Sequence, residues 1–141
     1  MVDTKQDAEE LMERVFDAWN ARDIAGMLTY FCDDLVFVEH AGDGGTGYKV
    51  RHGAKAFGDY LQTYLDVADC VSTVNFLTFD GIYVRTVIGF SVYHREKKLK
   101  FVGRFRQVIR LRDGCISHLD EYHDVDASAS FWELTEKLAG N

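Results

Sequence analysis

Four side chains in this sequence could move protons or anchor a polar group: His40, Gln107, Glu121 and His123. An imidazole with an ordinary pKa of about 6.5 exchanges protons near neutrality, so a neutral His40 could abstract a proton α to a carbonyl. A glutamate placed in an apolar pocket suits a general acid, because desolvation favours the neutral carboxyl, and Glu121 is the candidate. Gln107 could offer an amide N–H to a developing enolate oxygen, more weakly than a protonated acid would. These three form the expected catalytic set. His40, Glu121 and His123 together also make two histidines and a carboxylate, a metal-ligand combination. The run His118–Asp124 looks metal-like, but strand alternation divides it between two faces, and no metal is assigned.

The stretch Lys100–Asp126 must position most of these groups. It reads as two antiparallel strands joined by a tight turn at Asp113-Gly114, a dipeptide that tolerates positive φ. Alternation puts Phe101, Gly103, Phe105, Gln107, Ile109 and Leu111 on one face and Arg104, Arg106, Val108, Arg110 and Arg112 on the other. On the return strand Ser117, Leu119, Glu121 and His123 share a face. Upstream, Ala8, Leu11, Met12, Val15, Ala18 and Trp19 recur at helical spacing behind the capping pair Thr4 and Asp7. A short second helix follows around Met27, then a strand over 35–40. In that strand Val36, Val38 and His40 share one face and Leu35, Phe37 and Glu39 the other. A third helix begins at Gly53 with Ala54, Phe57, Leu61, Tyr64, Leu65 and Ala68 inward. Strands are expected over Val71–Phe79 and Gly81–His94. A short C-terminal helix is expected, capped by Ser130 and Glu133, carrying Phe131, Leu134 and Leu138 and ending before Gly140.

Segregated helical and strand segments indicate an α+β fold: a curved antiparallel sheet wrapped by the three N-terminal helices into a cone with an internal pocket. Such a cone is a natural site for a hydrophobic small molecule. Val15, Trp19, Phe57, Phe105, Leu119 and His123 are expected to line it. Tyr48, Tyr60, Tyr64 and Arg51 are surplus polar groups near its mouth.

Length and charge narrow the function. With 141 residues the chain is expected to form one domain over 1–141. Its net charge of −7 argues against nucleic acid as a partner, since phosphate contacts need a concentrated basic surface. The arginines of 104–112 read as a solvated or dimer-contacting sheet face. The polar start MVDTKQDAEE shows no signal peptide, and no apolar run approaches membrane-spanning length. Cys32, Cys70 and Cys115 are odd in number and lack metal spacing, which predicts reduced thiols and a cytoplasmic protein. Gly42-Asp-Gly-Gly-Thr-Gly47 formally matches GxGxxG. However, Tyr48–His52 separates it from the next helix, whose N-terminal amides would have to face a pyrophosphate. A pocket-edge loop is the reading adopted, and no cofactor is expected.

The order of several segments resembles the nuclear transport factor 2-like superfamily, and within it the SnoaL-like and ketosteroid isomerase-like group. The segments are Trp19–Asp23, Met27–Asp34, Val36–His40, Arg51–Phe57, Asp113–Ile116 and Asp120–Asp124. The resemblance implies an α+β cone, frequent homodimers and a deep apolar pocket, but not one reaction. In the isomerases the general base at the end of the first strand is matched by His40, the oxyanion-stabilising acid by Gln107, and a tyrosine donor by a position near Val15. In limonene epoxide hydrolases a carboxylate of the last long strand is matched by Glu121. The arginine and aspartate of that network fall near Ile88 and Phe90 and are missing. SnoaL-type cyclases use an acidic residue in the cone, for which Glu121 is the nearest match. The resemblance therefore implies an acid–base enzyme of isomerase, cyclase or hydratase type, or else a binding or dimerisation module of the same shape.

Overall fold

The computed structural model describes residues 1–40 and 48–139. The glycine-rich loop and Gly140 lie outside the described residues, as does the side chain of Leu138. Helices α1 (Lys5–Asn20), α2 (Ile24–Leu28), α3 (Ala54–Leu65) and α4 (Val125–Ala139) accompany six strands. These are β1 (Phe31–His40), β2 (Tyr48–His52), β3 (Ala68–Phe79), β4 (Tyr83–His94), β5 (Leu99–Arg112) and β6 (Cys115–Tyr122). They build a mixed α+β fold around a curved, open sheet in the order β2-β1-β6-β5-β4-β3.

Three features differ from expectation. The sheet is not wholly antiparallel, because β1 pairs with β6 in parallel register. Strands so far apart in sequence need not obey hairpin geometry; everything between them acts as the crossover. Residues Tyr48–His52 form an edge strand, β2, although none of them is buried, so no apolar alternation announced it. The C-terminal helix is longer than expected and starts at Val125 rather than near Ser130.

The core sits between α1, α3 and one sheet face. Thr4 and Asp7 close a capping box, and Leu11, Met12, Val15, Phe16 and Trp19 bury the inner stripe of α1. Phe57 of α3 packs on Phe37 and Phe31, with ring centroids 4.7 and 5.1 Å apart. In β6, Leu111 pairs with Ile116 but Arg110 with His118, leaving Ser117 as an extra residue. This bulge turns Ile116 inward, where it is fully buried. Strict alternation from Leu119 would turn it outward.

The free edge of β3 is covered at one point by a side chain. Asn20 Nδ2 donates to the Ser72 carbonyl at 2.9 Å, and the Ser72 N–H donates to Asn20 Oδ1 at 2.8 Å. The amide imitates a neighbouring strand. Asn20→Ala is expected to cost about 1–3 kcal/mol, because it leaves a part-buried backbone pair without partners. Urea unfolding would show this as a lower midpoint at constant slope.

Cys32 and Cys115 form a disulfide, with Cα atoms 5.3 Å apart. This corrects the expectation of three reduced thiols and removes its support for a cytoplasmic location. The two cysteines stand 83 residues apart in sequence, and only the β1–β6 pairing brings them together. Cys70 alone is free and buried, and burial pushes its thiol up to about 11. Among the described residues no helix is long and apolar enough to cross a membrane.

Candidate functional site

A cavity of about 120 Å³ opens between the helices and the inner sheet face. Its walls include Val15, Trp19, Phe57, Phe105, Leu119 and His123, together with Gln107 and Glu121. The remaining lining is mainly aromatic and aliphatic. Polar groups therefore stand out on it.

Strand pairing assembles the polar group. Gln107 and Glu121 are direct partners across β5 and β6, and paired residues share a face. Thr86 Oγ1 donates to Gln107 Oε1 at 3.0 Å, and Gln107 Nε2 donates to Glu121 Oε2 at 3.0 Å. On the other side His123 Nε2 lies 3.2 Å from Glu121 Oε1, while its ring stacks on Phe105 with centroids 4.7 Å apart. Both amide ends of Gln107, which is only 5% exposed, are thus engaged within the protein.

His40 is not part of this wall. It does not line the cavity, and β1 turns Leu35, Phe37 and Glu39 inward instead. The reason is parity: Phe37 packs on Phe57, so Glu39 shares its face and His40 takes the opposite one. There His40 Nε2 lies 2.8 Å from Asp120 Oδ1, and its ring stacks on Tyr122 at 4.2 Å. The other oxygen of Asp120 lies 2.9 Å from His118 Nε2. His40 is thus separated by the sheet from Glu121 and His123, and the three do not form a metal-binding set.

Glu39 is the residue that sequence reasoning missed. It is 4% exposed and pairs directly with Glu121 across β1 and β6. The Tyr60 hydroxyl donates to Glu39 Oε2, and the Tyr60 and Tyr64 hydroxyl oxygens are 2.6 Å apart. Arg51 places Nη1 3.8 Å from Glu39 Oε1, and its guanidinium carbon lies 3.8 Å from the Tyr60 ring centre. A signal existed in the sequence: Leu35 and Phe37 are bulkier than Val36 and Val38, and Glu39 continues their face.

Electrostatics follow from this geometry. Burial alone would push the His123 pKa down, but its bond to Glu121 and the charges of Glu121 and Glu39 raise it overall. Burial, with the neighbouring Tyr64 and Glu39, pushes the Tyr60 hydroxyl far up, so it stays protonated. A histidine whose folded pKa exceeds its unfolded value of about 6.5 stabilises the fold fully below that pH. The contribution disappears as pH rises through the folded value. His123→Gln is therefore expected to lose thermal stability mainly on the acid side, narrowing its gap from wild type as pH rises; melting curves across pH would check this.

Comparison with known proteins agrees with the architecture. Residues 12–119 match the family model of the SnoaL-like domain. No curated protein matches the chain. Among solved structures, a candidate polyketide cyclase from Xanthomonas campestris pv. campestris superposes with a TM-score of 0.77 at 19% identity, covering 89% of this chain and 96% of that one. A hypothetical protein with a ketosteroid isomerase-like fold from Catenulispora acidiphila, solved with trimethylamine, gives 0.74 at 16% identity, covering 86% and 90%. An epoxide hydrolase from M. tuberculosis of the LEH-like type gives 0.70 at 18% identity, covering 94% and 95%. At these identities the likeness is one of fold, which does not fix a reaction. With its own family model spanning residues 12–119 and the same cone in its structural neighbours, the chain belongs to the SnoaL-like domain family.

Proposed function

We propose that the cavity binds a small, hydrophobic carbonyl or cyclic compound and transfers protons to and from it, as an isomerase, cyclase or hydratase would. One observation carries this reading: the hydrogen-bonded chain Gln107–Glu121–His123 is set into a largely apolar cavity wall. Glu121 is the group that meets the substrate. His123 Nε2 holds a proton beside it, and Gln107 fixes the carboxylate from the other side. Gln107 is thereby a positioning residue rather than the enolate donor expected from its type. Low local polarity strengthens each of these interactions.

The size of the cavity supports a single-ring ligand, since a dry cavity of roughly 150 Å³ accommodates benzene. The neighbour solved with trimethylamine supports small-molecule occupancy of the fold. The testing experiment is deuterium exchange at the α-carbon of one-ring ketones in D₂O, followed by ¹H NMR. Wild-type protein should accelerate exchange over buffer, and His40→Ala should do so equally. Binding without exchange across such ketones would leave a ligand-binding module in place of an enzyme.

A homodimer through the sheet belongs to the same proposal. Val71 and Val102 pair with Ser91 on either side of β4 and are 51% and 66% exposed. Exposed aliphatics on a sheet face support an interface between copies. Val102→Glu is expected to shift the sedimentation profile from dimer to monomer. A wild-type monomer at high micromolar concentration would refute the dimer.

A further inference from the structure

We propose that Thr86 is a positioning residue for the cavity: by holding the Gln107 amide in one orientation, it makes Oε1 of Glu121 the oxygen that takes up the reacting proton. The inference rests on the acid–base reading above and deepens it by naming the reacting atom and the group that selects it.

Strand pairing sets three polar side chains in one row. Thr86 of β4 is the direct partner of Gln107 in β5, and Gln107 is that of Glu121 in β6. Thr86 is 3% exposed and does not line the cavity, so it acts on a ligand only through its neighbours. Branching at Cβ restricts its χ1 and with it the direction of the hydroxyl. That hydroxyl has one proton, which goes to Gln107 Oε1 at 3.0 Å. A primary amide has one acceptor end and one donor end. With the acceptor end on Thr86, the donor end faces Glu121 and Nε2 bonds Oε2 at 3.0 Å. The row is therefore directed, from Thr86 to Gln107 to Glu121.

An N–H on Oε2 leaves Oε1 for proton exchange. Oε1 lies 3.2 Å from His123 Nε2, and a carboxylate oxygen has a second lone pair to offer a ligand. With a ketone in the cavity, the α-C–H bond breaks and its proton joins Oε1. The C–H electron pair becomes the C=C bond, and the C=O π pair moves onto oxygen as the enolate charge. Exchange of the Oε1 proton with D₂O, followed by reversal, puts deuterium on carbon. A Gln107 amide turned over would instead point its carbonyl at Oε2. Two acceptors bond only when one carries a proton, so the turned amide draws the proton of Glu121 to Oε2, away from His123. Thr86 opposes that turn, because its hydroxyl proton would lose its acceptor.

The test is deuterium exchange into acetophenone in D₂O, read as loss of its methyl ¹H signal over a range of pH. Thr86→Val keeps the branched shape and replaces the hydroxyl by a methyl group. Its maximal rate should fall about tenfold, and the acid limb of its profile should lie about one pH unit higher. Thr86→Ser restores the hydroxyl and should return both close to wild type. The titratable and charged groups around Glu121 are Glu39 of β1 with Arg51 beside it, Tyr60 and Tyr64 of α3, and His123. All are the same in these proteins, so a displaced limb reports the amide. A merely structural role would lower the melting temperature and scale the rate alike at every pH. In a Gln107→Met background Thr86→Val should displace the limb no further, since its effect passes through the amide. Should Thr86→Val not fold, Thr86→Cys, whose thiol is a weak donor, should show the same displacement in smaller measure. A folded Thr86→Val with the wild-type limb, or equal limbs in Thr86→Val and Thr86→Ser, would overturn the role of Thr86 and leave the acid–base reading standing. Wild-type exchange no faster than buffer would sink that reading, and this role with it.

Discussion

Glu121→Gln is expected to lower the turnover of a fitting ketone by about 10²- to 10³-fold while leaving KM nearly unchanged. The substitution is close to isosteric, so the cavity keeps its shape. Its new amide can still present an oxygen to Gln107 Nε2 and an N–H to a neutral His123, so the hydrogen-bond chain survives. What is lost is the ability to carry a proton and the negative charge beside His123. The raised pKa of His123, which depends on that charge, should fall, and the pH profile of the residual activity should shift with it. Thermal stability should fall on the acid side, as for His123→Gln, and change little once His123 is neutral. Unaltered kcat in Glu121→Gln, with the protein folded, would remove Glu121 from the mechanism. A loss confined to KM would make it a binding residue only. His40→Ala is the contrasting variant, since its ring lies across the sheet and its expected effect on kcat is nil.

Much of this site could be read from residue order. The period of α1 and the greasy face of β5 are strong signals, so Val15, Trp19 and Phe105 could be placed in the cavity directly. Alternation put Gln107 with Phe105 and Ile109, and Glu121 with Leu119, but their direct pairing is set by the bulge at Ser117, since the Asp113-Gly114 turn by itself would set Gln107 opposite Asp120. His40 was misplaced for a related reason. Alternation divides a strand into two faces but does not say which is inward. In β1 that is decided by Phe37 seating on Phe57, a contact between segments distant in sequence. Glu39 was passed over because a carboxylate on an aliphatic strand ordinarily marks the wet side. Its burial depends on Tyr60 and Arg51, from α3 and from a strand whose residues carry no pattern. Ile116 turns inward through a single-residue bulge, which leaves no trace in composition. The parallel β1–β6 pair was invisible for the same reason as the disulfide it carries: both are products of topology.

That disulfide should dominate stability as Glu121 dominates turnover. Closing a loop between residues 83 apart removes unfolded-chain entropy worth roughly 4 kcal/mol in the loop-closure model. Removal of a native disulfide from a small domain costs a similar amount, about 2–5 kcal/mol. At about 2–4 °C per kcal/mol for a chain of this size, the double variant Cys32→Ala/Cys115→Ala should melt roughly 10 °C lower. Wild-type protein in excess reductant should match it, and Cys32→Ala alone should fall close to both. An unchanged melting temperature under reductant, with free thiols confirmed by titration, would show that the link carries no stability. The effect on chemistry should be small. The link ties the first residues of β1 to those of β6, whereas Glu39 and Glu121 meet near the far ends of the same strands. Seven residues of extended chain separate Cys32 from Glu39, roughly 23 Å, and the ladder between them is held by hydrogen bonds independent of the sulfurs. Well below the melting range, kcat of the reduced protein should therefore stay within about twofold of the oxidised one. A reduced form that keeps its melting temperature but loses turnover would reverse that assignment and make the cysteine pair a control element of the cavity.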